Sequence, residues 1–193
     1  MQKNPSIKNE PLFNAWKELN DRYLRLARDD CAYFYSERTN CGIIASAAYS
    51  AGFVAIEESP TRRRSRRGQG RGGRSGRYDI YIRTKNIDYL IEAKQSRQVK
   101  NADSKLKESE TQIKKIHRCE RLDTDIAIVF IVQGFKAEES CDIDILGHIN
   151  KINDIKHHGA VHYYPKAARA LHGGGNFQKY IYPGISIIMR VVD

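Results

Sequence analysis

The chain has 193 residues and a formal net charge of +10, from 33 lysines and arginines against 23 aspartates and glutamates. This length is enough for a single domain, residues 1–193, with a full hydrophobic core. The first residues lack the apolar segment of a signal peptide, and the longest apolar run, residues 126–132, is far shorter than a membrane span requires. These features argue against secretion and membrane insertion and predict a cytoplasmic protein.

The cysteines are scattered along the chain and form no CxxC pair: Cys31, Cys41, Cys119 and Cys141. Zinc sites and the disulfide frameworks of small secreted domains both show regular cysteine spacings. The pattern therefore predicts free thiols in a reducing compartment.

Two helices are predicted before the first strand. The first spans residues 8–28, where apolar residues recur at alternating spacings of four and three: Leu12, Trp16, Leu19, Tyr23 and Leu26. The second begins after Ser36, a favourable N-cap, and runs to about Ser50 with an alanine-rich face suited to packing on a sheet. Glu37 lies in its first turn. There it either interacts favourably with the helix dipole or serves as a third carboxylate of a metal site.

A basic segment, residues 61–77, follows a short predicted strand, Phe53–Ile56, and its acidic end, Glu57 and Glu58. The segment has no acidic or apolar residue, so it cannot bury enough surface to offset its ordering entropy and is predicted to be flexible. Without its eight arginines the charges of the chain nearly balance. This local excess indicates nucleic acid, ahead of a membrane surface, as the partner. The arginines are Arg62, Arg63, Arg64, Arg66, Arg67, Arg71, Arg74 and Arg77.

Residues 78–95 predict two short strands joined by a polar turn, residues 83–88. Apolar side chains alternate along both strands, which places one face of each against the core. The opposite faces carry Asp79 in the first strand and Glu92 with Lys94 in the second. If the strands pair, two carboxylates and one ammonium lie together on a rigid sheet. Gln95 follows on the other face and is a candidate contact only.

The remaining chain predicts a sheet covered by helices. Residues 96–121 read as a long helix, with Gln112 beside its apolar stripe as a further candidate to face the site. Residues 126–132 are typical of a strand buried on both faces. A C-terminal extension, residues 135–193, contains a predicted helix at 143–155, a short strand at 160–164 and a final strand or strand pair within 180–192. The predicted fold class is α/β, with a central mixed sheet flanked by helices.

Asp79, twelve intervening residues and then Glu92-Ala93-Lys94 resemble the D-x(n)-(D/E)-x-K signature of the PD-(D/E)XK nuclease superfamily. The order of elements over residues 36–134, about half the chain, also resembles the restriction-endonuclease-like αβββαβ core of that superfamily. Tyr78 stands where the family name has proline, a position at which many members vary.

The resemblance implies a metal-dependent deoxyribonuclease. In that case Asp79, Glu92 and the carbonyl of Ala93 would hold Mg²⁺ or Mn²⁺. Lys94 would orient or help deprotonate the attacking water and stabilise charge on the phosphate. Family members often place another acid on the first core helix, and Glu37 matches that location.

The residue chemistry agrees with these roles but also allows a simpler interpretation. Mg²⁺ prefers oxygen ligands and typically binds one or two carboxylates while it retains waters. It lowers the pKa of bound water and neutralises phosphate oxygens. Alternatively, Asp79, Glu92 and Lys94 form a cross-strand ion pair exposed to solvent, worth about 0.2–1 kcal/mol. The neighbouring arginine segment favours the nuclease interpretation.

Histidines and tyrosines near the C-terminus suggest a second site less strongly. The spacing of His148, His157, His158, His162 and His172 matches no zinc pattern. Tyr163, Tyr164 and Tyr180 are suited to stacking on nucleic-acid bases, and they are equally typical of core tyrosines.

Three functional hypotheses follow. The first is a Mg²⁺-dependent endonuclease acting on DNA in preference to RNA, with the arginine segment gripping the backbone and a homodimer if both strands of a duplex are cut. Its biological setting, in restriction, repair, a phage or defence, is suggested only by analogy. The second is a non-catalytic DNA- or RNA-binding protein that uses the arginine segment. The third is an adaptor whose polycation meets an acidic protein.

Overall fold

The computed structural model describes residues 10–27, 30–62, 75–116, 124–136, 143–166 and 180–192. Within them the helices are α1 (Glu10–Ala27), α2 (Glu37–Ser50), α3 (Ala102–Lys114) and α4 (Ile145–Asn153). The strands are β1 (Val54–Arg62), β2 (Ser75–Arg83), β3 (Asp88–Ser96), β4 (Thr124–Ile131), β5 (Phe135–Lys136), β6 (Gly159–Tyr163), β7 (Tyr180–Ile181) and β8 (Ile185–Val191).

The main sheet is mixed and has six strands in the order β1-β2-β3-β4-β8-β6. The β3–β4 pair is parallel and the other neighbours are antiparallel. Helices α1 and α2 pack on one face and α3 on the other, so each face of the sheet has its own apolar cluster. Every residue of β4 after Thr124 is buried, as expected for a central strand covered on both faces. The chain is therefore an α/β protein, as its sequence predicts.

Local sequence signals account for the elements that carry the candidate site. The hydroxyl of Ser36 accepts a hydrogen bond from the backbone N–H of Thr39 at 3.2 Å, which caps α2 as predicted. In the β2–β3 turn, the hydroxyl of Thr84 accepts from the backbone N–H of Ile87 at 3.0 Å. Arg83 closes the turn through a two-bond contact with Asp88. The predicted hairpin and its polar turn are confirmed.

Several predicted boundaries differ from the observed ones. β3 continues to Ser96, whose hydroxyl donates to the carbonyl of Gln98, and α3 begins only at Ala102. The long helix predicted over residues 96–121 is thus shorter at both ends. In α1, Leu26 is 75% exposed, so the predicted stripe was wrong there, and the buried position is Leu24 instead.

The basic segment is also shorter than residues 61–77, because both of its ends are strand. β1 reaches Arg62 and β2 begins at Ser75, and the two strands pair through Pro60 with Arg77 and through Arg62 with Ser75. Six of its arginines fall in residues 63–74, outside the described residues: Arg63, Arg64, Arg66, Arg67, Arg71 and Arg74.

The C-terminal segment completes the main sheet. β8 pairs with β4 on one side and β6 on the other, so the strands expected in an extension belong to the central layer. Trp16 of α1 makes an edge-to-face contact with Tyr163 of β6, with ring centroids 5.9 Å apart. Where the sequence predicts a final strand or strand pair, the structure has two strands, β7 and β8, in different sheets: β7 pairs with β5, and β8 belongs to the main sheet. The sequence also predicts one helical turn at residues 167–171, which lie outside the described residues.

Two other sequence predictions can be compared with the described residues. None of the helices there is both long and apolar enough to cross a membrane. Cys31 and Cys41 are buried free thiols. Burial raises the pKa of the Cys31 thiol to about 11.

His148 of α4 makes the native state sensitive to acid. Its ring is 5% exposed and packs edge-on against Phe135 and Tyr164. Burial, with a contribution from nearby Lys151, lowers the pKa of His148 from 6.5 to about 4. The unfolded chain therefore binds this proton near pH 6.5, whereas the native chain binds it only near pH 4. The stability contributed by neutral His148 is present above pH 6.5 and is lost as the pH falls toward 4.

We expect the free energy of unfolding to fall more between pH 7.5 and pH 5.0 for the native chain than for His148→Phe. The expected difference is about 2 kcal/mol, because one proton taken up on unfolding contributes about 1.4 kcal/mol per pH unit. Phenylalanine keeps the aromatic packing and removes the titration. Urea unfolding followed by circular dichroism at both pH values measures the difference, and equal losses in the two proteins would contradict the assignment.

Candidate active site

The candidate site lies where β2 and β3 separate. Their ladder ends at the pair Ile80 and Ile91. Beyond it, Oδ2 of Asp79 accepts a hydrogen bond from the backbone N–H of Ala93 at 2.7 Å. The carboxylate thus satisfies a donor of β3 at a point where the neighbouring strand no longer does. Asp79 is therefore held against the backbone of the residue between Glu92 and Lys94.

Lys94 extends into this gap and meets the acids. Its Nζ donates to the carbonyl of Ala93 at 2.7 Å and lies 3.8 Å from Oε1 of Glu92. It also lies 3.7 Å from Oε1 of Glu37. The side chain of Lys94 is only 13% exposed, and that of Glu92 only 4%. Lys94 and Glu92 are therefore largely buried, which differs from the solvent-exposed ion pair of the simpler interpretation, whereas the Glu37 side chain is 36% exposed.

Glu37 joins the cluster from the first turn of α2. Its Oε2 accepts from the backbone N–H of Gln95 at 2.9 Å, while its other oxygen faces Lys94. Burial raises the pKa of Glu37, the Lys94 ammonium opposes that rise, and the Asp79 carboxylate adds to it. Of the two interpretations of this residue, the geometry favours the one that directs it at the site.

α3 supports the strand that carries Glu92. The buried hydroxyl of Ser109 donates to the backbone carbonyl of Glu92 at 2.6 Å. Sequence reasoning missed this residue, although it occupies an apolar-stripe position between Leu106 and Ile113. A polar residue at such a position is the signal that identifies it. Lys105 and Glu108 of α3 form an ion pair at 2.7 Å close enough to influence the pKa of Glu37.

The two glutamine candidates have different outcomes. The Gln95 side chain donates to the carbonyl of Tyr35 at 3.0 Å and accepts from the amide of Asn40 at 3.4 Å. Buried Asn40, which was not predicted, also donates to the carbonyls of Tyr33 and Ser36. Gln95 therefore contributes its backbone N–H to the site, while its side chain anchors the loop before α2. No hydrogen bond or ion pair among the described residues connects the Gln112 side chain to the site.

The donor chemistry of the cluster suits a hard divalent cation. Glu37 and Glu92 lie 3.7 Å and 3.8 Å from the Lys94 ammonium, which also donates to the Ala93 carbonyl. Asp79 accepts from the backbone N–H of the same residue, Ala93. Within the described ranges, no group of three or more His, Cys, Asp or Glu side chains is arranged to hold a metal ion by itself. Mg²⁺ needs no such group, because it typically binds one or two carboxylates and keeps waters or substrate phosphates as its other ligands.

Two of the candidate arginines lie within described strands. Arg77 of β2 pairs with Glu58, which also lies 3.0 Å from the guanidinium of Arg38 in α2. Glu58 has a φ of 50°, in the left-handed region that side chains rarely adopt. Glu58, which lies within β1, therefore pairs with two arginines. Arg62 is the last residue of β1.

The C-terminal histidines and tyrosines have structural roles where they are described. His162 contacts the hydroxyl of Ser186 at 2.8 Å, and His158 accepts from the backbone N–H of Val191 at 3.0 Å. Tyr163 is buried and donates to Asp21 at 2.6 Å. Tyr180, by contrast, is 41% exposed.

Comparisons with known proteins add no relative: no family model, curated protein or solved structure matches this chain.

Proposed function

We propose that this chain is a metal-dependent endonuclease of PD-(D/E)XK type that hydrolyses phosphodiester bonds of DNA. One observation carries the proposal: where β2 and β3 separate, Asp79 binds the backbone N–H of Ala93, and Lys94 Nζ lies 3.8 Å from Glu92 and 3.7 Å from Glu37. The element order α2-β1-β2-β3-α3-β4, with β3 parallel to β4, is also the order expected of a restriction-endonuclease-like core.

The acids would hold the metal ion. Asp79, Glu92 and the Ala93 carbonyl would bind Mg²⁺ or Mn²⁺, which when bound lowers the pKa of a water ligand and neutralises charge on the phosphate. Glu37 lies 3.7 Å from the same Lys94 Nζ that is 3.8 Å from Glu92. Burial raises the pKa of Glu37, which makes its carboxylate a stronger proton acceptor than an ordinary glutamate.

Lys94 would act on the water and on the phosphate. Its ammonium is largely buried, where a charge stabilises a developing negative charge far better than it does in bulk water. It is fixed by the Ala93 carbonyl and by two carboxylates, so little reorganisation is needed during the reaction. Lys94 would orient the attacking water and stabilise the oxygens of the phosphate as the bond breaks.

The arginine segment would supply affinity without sequence preference. It connects β1 to β2, so it starts and ends beside the strand that carries Asp79. Its arginines would contact successive phosphates of the substrate. A homodimer would provide the two active sites that a double-strand break needs, and the reducing cytoplasm predicted from the cysteines is compatible with this role.

Metal removal tests the proposal directly. We expect the native chain to nick supercoiled plasmid in Mg²⁺ or Mn²⁺, to stop in EDTA, and to resume when metal is restored. Asp79→Asn should lower the cleavage rate at least about 10²-fold, because it removes the negative charge of the side chain. The variant keeps an oxygen that can accept from the backbone N–H of Ala93. Gel electrophoresis of the plasmid measures the rate.

The control for that variant is DNA binding in EDTA, which Asp79→Asn should leave intact. Binding without cleavage by the native chain in either metal would overturn the nuclease proposal and favour the non-catalytic DNA- or RNA-binding alternative. Loss of that binding to an acidic protein competitor would favour the adaptor.

A further inference from the structure

A cleft of about 480 Å³ opens beyond the carboxyl ends of the parallel strands β3 and β4. Its walls come from the segments that follow these two strands, from α4 and from the region of β7. The residues that matter here are Arg97, Lys100, Gln133, Lys151, Tyr180 and Tyr182. Ligands of open sheets commonly bind in crevices beyond the carboxyl ends of parallel strands. We call this feature the basic cleft.

The basic cleft carries positive charge and lacks an acidic residue in its described lining. Lys100 and Lys151 are exposed and come from different elements. In the described part of the chain neither lysine forms an ion pair, unlike Lys105 and Lys107 of α3, which pair with acids at 2.7 Å. Two ammonium groups that face one concave surface, without an ion pair to any described acid, indicate an anionic ligand.

Arg97 connects the basic cleft to the candidate active site. Its guanidinium donates to the backbone carbonyls of Phe34 and Tyr35 and lies 5.6 Å from the ring centroid of Tyr182. The Tyr35 carbonyl also accepts from the Gln95 side chain. Arg97 follows Lys94 by three residues, a span of about 10 Å in an extended chain. The cleft and the acidic cluster are therefore neighbours along one strand.

Aromatic and amide groups in the basic cleft suit a nucleobase. Tyr180 is 41% exposed and Tyr182 forms part of the same lining. The Gln133 oxygen accepts from the backbone N–H of Val99 at 3.1 Å, which leaves its NH₂ group available to donate. A volume of about 480 Å³ lies within the roughly 300–1,000 Å³ typical of small-molecule sites. A nucleotide fits such a space and a duplex does not.

We propose that the basic cleft binds an unpaired nucleotide of the substrate strand close to the scissile phosphate. The proposal rests on the nuclease function above and specifies its substrate as a nucleic acid with a single-stranded stretch. Lys100 and Lys151 contact phosphate oxygens, Tyr180 stacks on a base, and Gln133 donates to the base edge.

Fluorescence anisotropy in EDTA tests this without relying on cleavage. The probes are a labelled single-stranded DNA 20-mer, the blunt duplex of the same sequence, and the corresponding single-stranded RNA. We expect Tyr180→Ala to weaken single-strand binding roughly 5- to 100-fold, and Tyr180→Phe to leave it within about two-fold, because stacking needs the ring and not the hydroxyl. Lys100→Ala and Lys151→Ala should each lower the salt dependence by about 0.7 in log K against log salt.

Lys85→Ala is the matched control. Lys85 is an exposed lysine in the β2–β3 turn, at the opposite end of β3 from the cleft. Lys85→Ala should leave single-strand affinity within about two-fold of native and the salt slope unchanged. A general effect of net charge would instead change the affinity and the salt slope of all three lysine variants by the same amount. The blunt duplex should show less than about two-fold change in every cleft variant, since a paired base cannot enter the cleft.

The outcomes separate this inference from the proposed function. If the Tyr180 and lysine variants bind single strands as tightly as the native chain does, the cleft assignment is overturned, even if the chain cleaves DNA in Mg²⁺. Equal losses on duplex and single strand would overturn the unpaired nucleotide. Selective losses on single strands support the cleft even if no metal allows cleavage, a result that would overturn the nuclease alone. The cleft is also supported if the native chain binds the single-stranded RNA and the same variants lose that binding.

Discussion

Lys94→Ala is expected to lower the rate of DNA cleavage by about 10²–10⁴-fold, the range for loss of a positioned proton-transfer or charge-stabilising group. Lys94 is the ammonium that contacts the Ala93 carbonyl and both Glu37 and Glu92. The measurement is the single-turnover nicking rate at saturating protein and Mg²⁺, which separates chemistry from binding.

Two further variants keep this result interpretable. Lys85→Ala removes an equal charge away from the site and should cleave at the native rate. Lys94→Ala also leaves two acids without their shared cation, so a thermal unfolding curve must show that the variant is folded under the assay conditions. Lys94→Arg restores a positive charge with a different shape and should recover little of the rate. A folded Lys94→Ala protein that cleaves at the native rate would remove Lys94 from the chemistry.

Replacing the six arginines at positions 63, 64, 66, 67, 71 and 74 by serine is expected to weaken duplex DNA binding by about 10²-fold or more at 0.1 M salt. If each arginine contacts a phosphate, the slope of log K against log salt should fall by up to about five, since each contact contributes roughly 0.9. The substitutions leave Arg62 and Arg77, which belong to β1 and β2. Anisotropy titrations over a series of salt concentrations measure both quantities.

The matched control replaces the same six arginines by lysine, which keeps the charge. Affinity should then stay within about ten-fold, because phosphate contacts of this kind depend mainly on charge. The cleavage rate at saturating protein should change little in either variant, since the segment is proposed to bind and not to react. An unchanged salt slope in the serine variant would exclude the segment from the DNA interface.

The site was predictable from the sequence because its parts are local. Asp79, Glu92 and Lys94 occupy alternating positions of one hairpin, and both the turn and the strands have clear signals. Ser36 marks the start of α2, which fixes Glu37 in the first turn. Period-2 and capping rules are therefore enough to assemble most of the cluster.

The remaining features depend on contacts between distant parts of the chain. β8 pairs with β4 across about sixty residues, and no local pattern reveals which strand it joins. The approach of Glu37 to the Gln95 N–H depends on where α2 docks on the sheet. Leu26 has the right spacing for the apolar face of α1, but the helix ends there and its side chain meets solvent. Periodicity predicts a face and not what will cover it.

At the opening between β2 and β3, two of the acids also have a structural role. The backbone donors of Ala93 and Gln95 face the side where β2 has departed, and Asp79 and Glu37 take over as their acceptors. Replacing either residue by alanine leaves a main-chain N–H inside the protein without an acceptor, at a cost of about 1–3 kcal/mol. A variant selected for its fold alone should therefore still carry oxygen-bearing side chains at positions 37 and 79.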